Sequence, residues 1–350
     1  MKQSDPPSRS RLICQYLVIS LSILLGLLCL GGFTFTSIYW NINSNIERNC
    51  QENQTNNAVL CYIRSLVSEA RRTQWNRFIL SSLLLTYASV FFHIIIETSR
   101  TNITGLLGQM IFHTISIIVG IGVAYPLFYL PSYVYFYQLK HHSIKSPVSI
   151  DMVFIGLIYT IGVIVLPTYL IAFLSSNEIL LTSMSIVLLG SPIAFTFVSF
   201  PFRLISGRLQ RCWCVNSHRL ILYCQIILFI FSSPIYFITL IALIEHCSIH
   251  LLEDSYSFDH LSNRINPIAL VWSIDYLSLL LALGLFISIN EYMFNGRTTT
   301  KKKNRIDRSR CAQVRSIVGY LMFAVAFVIA PCLIFPLYIA WKEYQYLKLM

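Results

Sequence analysis

Eight largely uncharged apolar runs recur along the 350-residue chain, at about 13–39, 78–96, 106–134, 152–174, 179–202, 220–244, 267–290 and 317–340. This pattern limits the fold more than any other feature. A run of some twenty apolar residues crosses the roughly 30 Å hydrocarbon core only as a helix, because no water is there to satisfy the backbone. Charged residues make up 12% of the chain, about half the share of a soluble globular domain. The expected fold is all-α, a polytopic transmembrane helix bundle of about eight spans. Residues 1–350 would form a single integral membrane domain. The first run is too long for a cleavable signal peptide, and no small-residue cleavage site follows it.

The net charge is +11. No basic domain lies outside the spans, which argues against nucleic acid as a partner. Lys and Arg gather in short loops, where they orient a membrane chain. With eight spans, 19 fall on one side and seven on the other. That count places both termini outside or lumenal, in the endoplasmic reticulum or another endomembrane. The loop 41–77 then faces the cytosol, although its NQT at Asn53 and the pair Cys50 and Cys61 suit a lumenal loop. If that loop is lumenal, one run has to be re-entrant, and 106–134 with its prolines is the candidate.

Ionisable residues inside spans are costly and each is a functional candidate. Asp275, about eight residues into the seventh span, is the leading one. It suits a proton donor, a cation site or an interhelical hydrogen bond. Trp272 lies three residues before it, on the same helical face. His113 lies inside the third span. Glu97 and Glu291 sit at span ends. His246 and His250 are four apart, with Cys247 and Glu253 nearby, but a third defined metal ligand is missing. No metal or cofactor is expected. Cys212 and Cys214 flank Trp213 in a basic loop and suit palmitoylation better than zinc.

The stretch GVAYPLFYLPSYVYFYQLKHH at 122–142 combines two prolines with tyrosines at 125, 129, 133 and 137. Spacing of four makes one slowly drifting helical stripe. Near Lys140 it reads as an interfacial aromatic belt. Pro126 and Pro131 deprive the carbonyls of Gly122 and Leu127 of their usual donors. Such carbonyls persist in a bilayer only where they meet protein or water. Tyr125 and Tyr129 are therefore candidate walls of a pocket.

The segments GIGVAYPLFY (120–129), GVIVLPTYL (162–170) and SIDYLSLLLAL (273–283) resemble, in order and spacing, segments of the fungal membrane-bound terpene cyclases of the ascochlorin-pathway type. That resemblance implies eight spans and metal-independent cyclisation of a prenyl or terpenoid epoxide, an isomerase or lyase chemistry begun by protonation. On that reading Asp275 is the acid. Tyr125, Tyr129, His113, Trp272 and Tyr276 line the substrate site, with aromatic faces stabilising carbocations. The partners are the lipid bilayer and a hydrophobic small molecule. Two other readings stand beside it. One is a small-molecule transporter or channel with a broken helix at its site. The other is a divergent seven- or eight-span receptor, although no E/DRY-like or NPxxY sequence lies at the corresponding span ends.

Overall fold

In a computed structural model of the chain, the described residues are 9–39, 73–101, 105–139, 148, 150–173, 183, 186–187, 190–195, 197, 217–253, 267–298 and 322–349. They are almost wholly helical, without a strand among them. The chain order is α1 (Arg9–Tyr39), α2 (Gln74–Thr101), α3 (Gly105–Val119), α4 (Ile121–Ala124), a π-helical turn (Tyr125–Tyr129), α5 (Leu130–Leu139), α6 (Ile150–Thr160), a second π-helical turn (Ile161–Val165), α7 (Leu166–Phe173), α8 (Ser217–Glu253), α9 (Pro267–Thr298) and α10 (Pro331–Leu349). The loop 41–72, with its sequon and cysteine pair, lies outside the described residues, as do Cys212 and Cys214.

Five stretches are long and apolar enough to cross a membrane: Leu12–Tyr39, Gln74–Arg100, Ile150–Phe173, Ser217–Cys247 and Ile268–Glu291. This is the helix set of a multi-pass membrane protein. Their side-chain distribution fits lipid outside. In α1, Leu17, Leu21, Leu24 and Leu28 form an outward apolar stripe at helical spacing. Only 28% of the apolar window of α1 is buried inside the bundle, against 89% for α2. Helix α2 is thus the central post. It places Ser82, Thr86, Ser89 and His93 in the interior, where small side chains let neighbouring helices approach closely.

The run expected as one span at 106–134 is not a single helix. It breaks at Gly120, the one described glycine with positive φ (103°), a backbone state that side-chain-bearing residues rarely adopt. The chain then turns back as a V. Phe112 and Tyr129 have ring centroids 5.8 Å apart, whereas an unbroken helix would separate them by about 25 Å. Arm α3 runs antiparallel to α2, since Gln109 donates to Thr98 while His113 bonds Tyr87. The returning arm runs alongside α9, from Gly122 against Asp275 to Tyr133 against Asn290.

The run at 317–340 behaves in the same way. It breaks at Ala330, whose N–H donates to the Ala326 carbonyl at 2.9 Å and whose own carbonyl accepts from Ile334 N–H at 3.0 Å. One residue therefore closes one helix and opens the next. Pro331 follows as the first residue of α10, where its missing N–H costs nothing. Phe323 and Tyr338 then meet at 6.0 Å, against about 22 Å along a straight helix. The expected run at 179–202 is described only in part. Eight uninterrupted spans are therefore not what the described residues form, since two of the eight runs are broken, folded-back helices.

Both reversals open toward one end of the bundle. At that end α2 and α9 finish, α8 begins, and α10 carries Glu343 to Arg100 and His218. Helix α1 leaves it, running antiparallel to the returning arm, with Ser22 at Pro126 and Phe33 beside Gly120. Both described termini of the bundle, Arg9 and Leu349, lie at this end.

Candidate functional site

The break at Gly120 leaves the first amides of α4 without helical acceptors. Asp275 supplies one. Its Oδ1 accepts the Gly122 N–H at 2.7 Å, and the Ile121 N–H also faces its carboxylate. One turn along α9, the Ser278 hydroxyl donates to the Gly122 carbonyl at 2.6 Å. That carbonyl is one of the two that the proline pattern marked as orphaned. Asp275 and Ser278 thus clasp both polar groups of Gly122 and dock the tip of the V on α9. The approach is so close that a Cβ on Gly122 would lie 2.2 Å from the Asp275 backbone oxygen.

The second proline is accommodated differently. The turn Tyr125–Tyr129 widens so that Leu130 N–H reaches back five residues to the Tyr125 carbonyl. The Pro126 carbonyl is then the group whose next donor would be the ring nitrogen of Pro131, which has no hydrogen. Ser22 of α1 donates to it at 2.6 Å. The other wide turn also ends one residue before a proline, with Leu166 N–H bonding the Ile161 carbonyl ahead of Pro167.

Beyond the clasp lies an aromatic row. Tyr125 and Tyr129 are 5.1 Å apart between centroids, and Tyr129 and Tyr133 are 5.9 Å apart. Phe286 of α9 packs against Tyr133 at 5.2 Å and Tyr125 at 6.5 Å. Tyr133 donates to Asn290. The hydroxyls of Tyr125 and Tyr129 have no hydrogen-bond partner among the described residues. His93 stands edge-on to Phe286 at 5.1 Å and to Phe335 at 5.8 Å, and its Nε2 also lacks a partner.

Above the row, at the end where the helices converge, is a buried ion-pair network. Arg100 donates to Glu97 at 2.8 Å and to Glu343 at 2.5 Å. The second Glu343 oxygen lies 2.5 Å from His218 Nδ1. The side chains of Arg100, Glu343 and His218 are 2–3% exposed. Beside it Lys342 pairs with Glu291 at 2.6 Å, and Tyr338 donates to the same carboxylate. Buried charges are tolerated only when paired and hydrogen-bonded. Here the pairing ties α2, α8, α9 and α10 together.

His113 belongs to a separate cluster. Tyr87 bonds its Nδ1 and Ser191 lies 2.8 Å from its Nε2. Phe91 stacks on the ring at 4.2 Å. Tyr159 donates to the Ser191 carbonyl and packs on Phe195. Both ring nitrogens are therefore engaged.

Of the residues singled out in the sequence, Tyr125 and Tyr129 lie together. Asp275 lies at the tip of the V beside them, touching Gly120 and Gly122 rather than their hydroxyls. Tyr276 is partly buried against the hydrophobic core. Trp272 is half-buried. Glu97 and Glu291, which read as span-end residues, are members of the network. Arg100, His218, Lys342 and Glu343 escaped notice because each stands at the end of an apolar run and looks like an interface charge. His93, a lone histidine near the end of the second apolar run, reads from the sequence as a satisfied packing residue. No protein-family model, curated protein or solved structure matches this chain.

Proposed function

We propose that the chain is a membrane transport protein for a small solute, with its site between the two folded-back helices. The observation that carries this reading is that each reversal is held by a side chain of a membrane-length helix. Asp275 of α9 accepts from Gly122 N–H at the first, and Tyr236 of α8 donates to the Ile329 carbonyl, just before the second, at 2.7 Å. Interrupted helices at membrane depth are stable only where protein or a wet cavity satisfies the freed backbone. Transport proteins use such half-helices to build sites that open to one side at a time.

The transport reading carries an orientation with it. If each segment between described helices stays on the side it leaves from, Arg48, Arg64, Arg71, Arg72, Arg77 and Arg264 go with one end and the other 20 Lys and Arg with the convergent end. The positive-inside rule then makes the convergent end, with both termini, the cytosolic one. On that orientation the Asn53 sequon and the Cys50 and Cys61 pair are expected on the lumenal side.

Tyr129→Cys, as the single cysteine of the chain, tests both points in sealed microsomes. A charged, impermeant thiol reagent is expected to modify it from the cytosolic face. Ile118→Cys, on the outer surface at 75% exposure, should react only with a permeant maleimide. If Tyr129→Cys behaves like Ile118→Cys, the aqueous pathway does not exist.

The aromatic row favours a second reading, the prenyl-epoxide cyclase that the sequence resemblance implies. Tyr125, Tyr129 and Phe286 would present their faces to a carbocation. Asp275 would be its acid, and Asp275→Asn is then expected to abolish the cyclised product in a host that makes the prenylated epoxide. Equal product from both chains removes Asp275 from that chemistry.

A further inference from the structure

Three polar groups inside the bundle lack partners within one neighbourhood: the hydroxyls of Tyr125 and Tyr129 and the Nε2 of His93. Their side chains belong to residues 0%, 8% and 4% exposed. Tyr125 and His93 both pack on Phe286, and Tyr129 packs on Tyr125. A buried polar group left unpaired costs about 1–3 kcal/mol, so three in one place mark a position that a further molecule completes.

The chemistry of the position narrows what that molecule is. Its free groups are two phenols and an imidazole, which both donate and accept and carry no obligatory charge. The formal charges nearby, on Glu97, Arg100, Glu291, Lys342 and Glu343, are committed to one another. A charged solute would have to break those pairs. The side chains packed round these groups are aromatic, with Phe286 against Tyr125 and His93 and Phe335 against His93. Aromatic faces with hydroxyl-compatible edges suit a ring that is apolar on its faces and polar on its rim.

Resting on the transport reading, we infer that Tyr125, Tyr129 and His93 form the solute site, and that the solute is a small uncharged hydroxylated ring. Each free hydroxyl gives one hydrogen bond to a rim hydroxyl, and Phe286 packs on the ring face.

The test uses the full chain in proteoliposomes, with radiolabelled glucose and uridine as neutral probes and gluconate and uridine monophosphate as their charged counterparts. One or both neutral probes are expected to accumulate and neither anion. Tyr125→Phe and Tyr129→Phe should each raise KM about 5–10-fold, the value of one hydrogen bond. The same variants should leave the unliganded unfolding temperature unchanged or raise it, because each deletes an unpaired buried hydroxyl. Uptake with unchanged KM in both variants, uptake of the anions, or failure of both neutral probes to bind or enter overturns the assignment. Equilibrium binding to detergent-purified protein separates the two levels. Neutral-probe binding that is lost in the Phe variants, without uptake in vesicles, keeps the site and removes the transport reading.

Discussion

Glu343→Ala is expected to be the most damaging single change in the bundle, at about 3–5 kcal/mol. That is the usual cost of breaking a buried ion pair by removing one partner. Arg100 would lose its 2.5 Å partner and His218 its own, and each of the two side chains is 2% exposed. Sequence position hides this, since Glu343 lies seven residues before Met350, past the last apolar run. The measurement is thermal unfolding of detergent-purified protein, as a double-mutant cycle with Arg100→Met. If the two residues act as one unit, the double variant should lose less than the two singles combined, with a coupling of about 1–3 kcal/mol. Additive losses would mean that the pair contributes nothing as a pair. Glu343→Gln should fall between wild type and Glu343→Ala, because it keeps hydrogen bonding without charge.

Gly122→Ala is the second. A methyl group there meets the backbone oxygen of Asp275 at 2.2 Å and its Oδ1 at 2.7 Å. The first of these contacts is with backbone, so no rotamer change relieves it. Helix α9 or the tip of the V has to move, and both Asp275 and Ser278 would lose their bonds to Gly122. A destabilisation of about 3 kcal/mol is expected, enough to lower the unfolding temperature by roughly 5–10 °C. Gly284→Ala, on the same helix α9 and with nothing within 4 Å of the added carbon, is the matched control and should be neutral or slightly stabilising. If the two substitutions behave alike, the V is not docked on α9 through Gly122.

The helical class and the existence of most membrane-length helices were legible in the sequence, because a run of apolar residues twenty long has few physical alternatives. What hydropathy does not record is direction. The runs 106–134 and 317–340 are as apolar as their neighbours, yet each reverses at one residue. The signal for the first was local and readable in part. A glycine precedes two prolines, and the prolines orphan two carbonyls. The Gly122 carbonyl did need a partner and found it in Ser278, but nothing in the sequence says that Ser278 is near. The second reversal, at Ala330 before Pro331, carries no glycine and gave no warning. A count of eight crossings and one that allows for the two reversals sort the charges to different ends, and the 41–77 loop changes side between them. Asp275 stood out for a good reason, as a carboxylate in hydrocarbon, but its partner is a helix terminus that exists only because of the break at Gly120. The ion-pair network was opaque for a related reason. Its members are scattered over four helices and become neighbours only in the bundle.

The wide turn at Tyr125–Tyr129 has a consequence for the tyrosines themselves. Along a uniform α-helix, side chains four apart drift round the axis by about 40° at each step, so Tyr125, Tyr129 and Tyr133 would fan outward and face three different neighbours. A π turn takes more residues per revolution and turns the chain back by a similar angle. The drift from Tyr125 to Tyr129 is then opposite to that from Tyr129 to Tyr133, and the three rings stay in file, with Phe286 against the first and the last. The same inserted residue that spares Pro131 a clash is what collimates the row. The prolines and tyrosines of this stretch are thus one device, in which the proline forces the wide turn and the wide turn aligns the phenols.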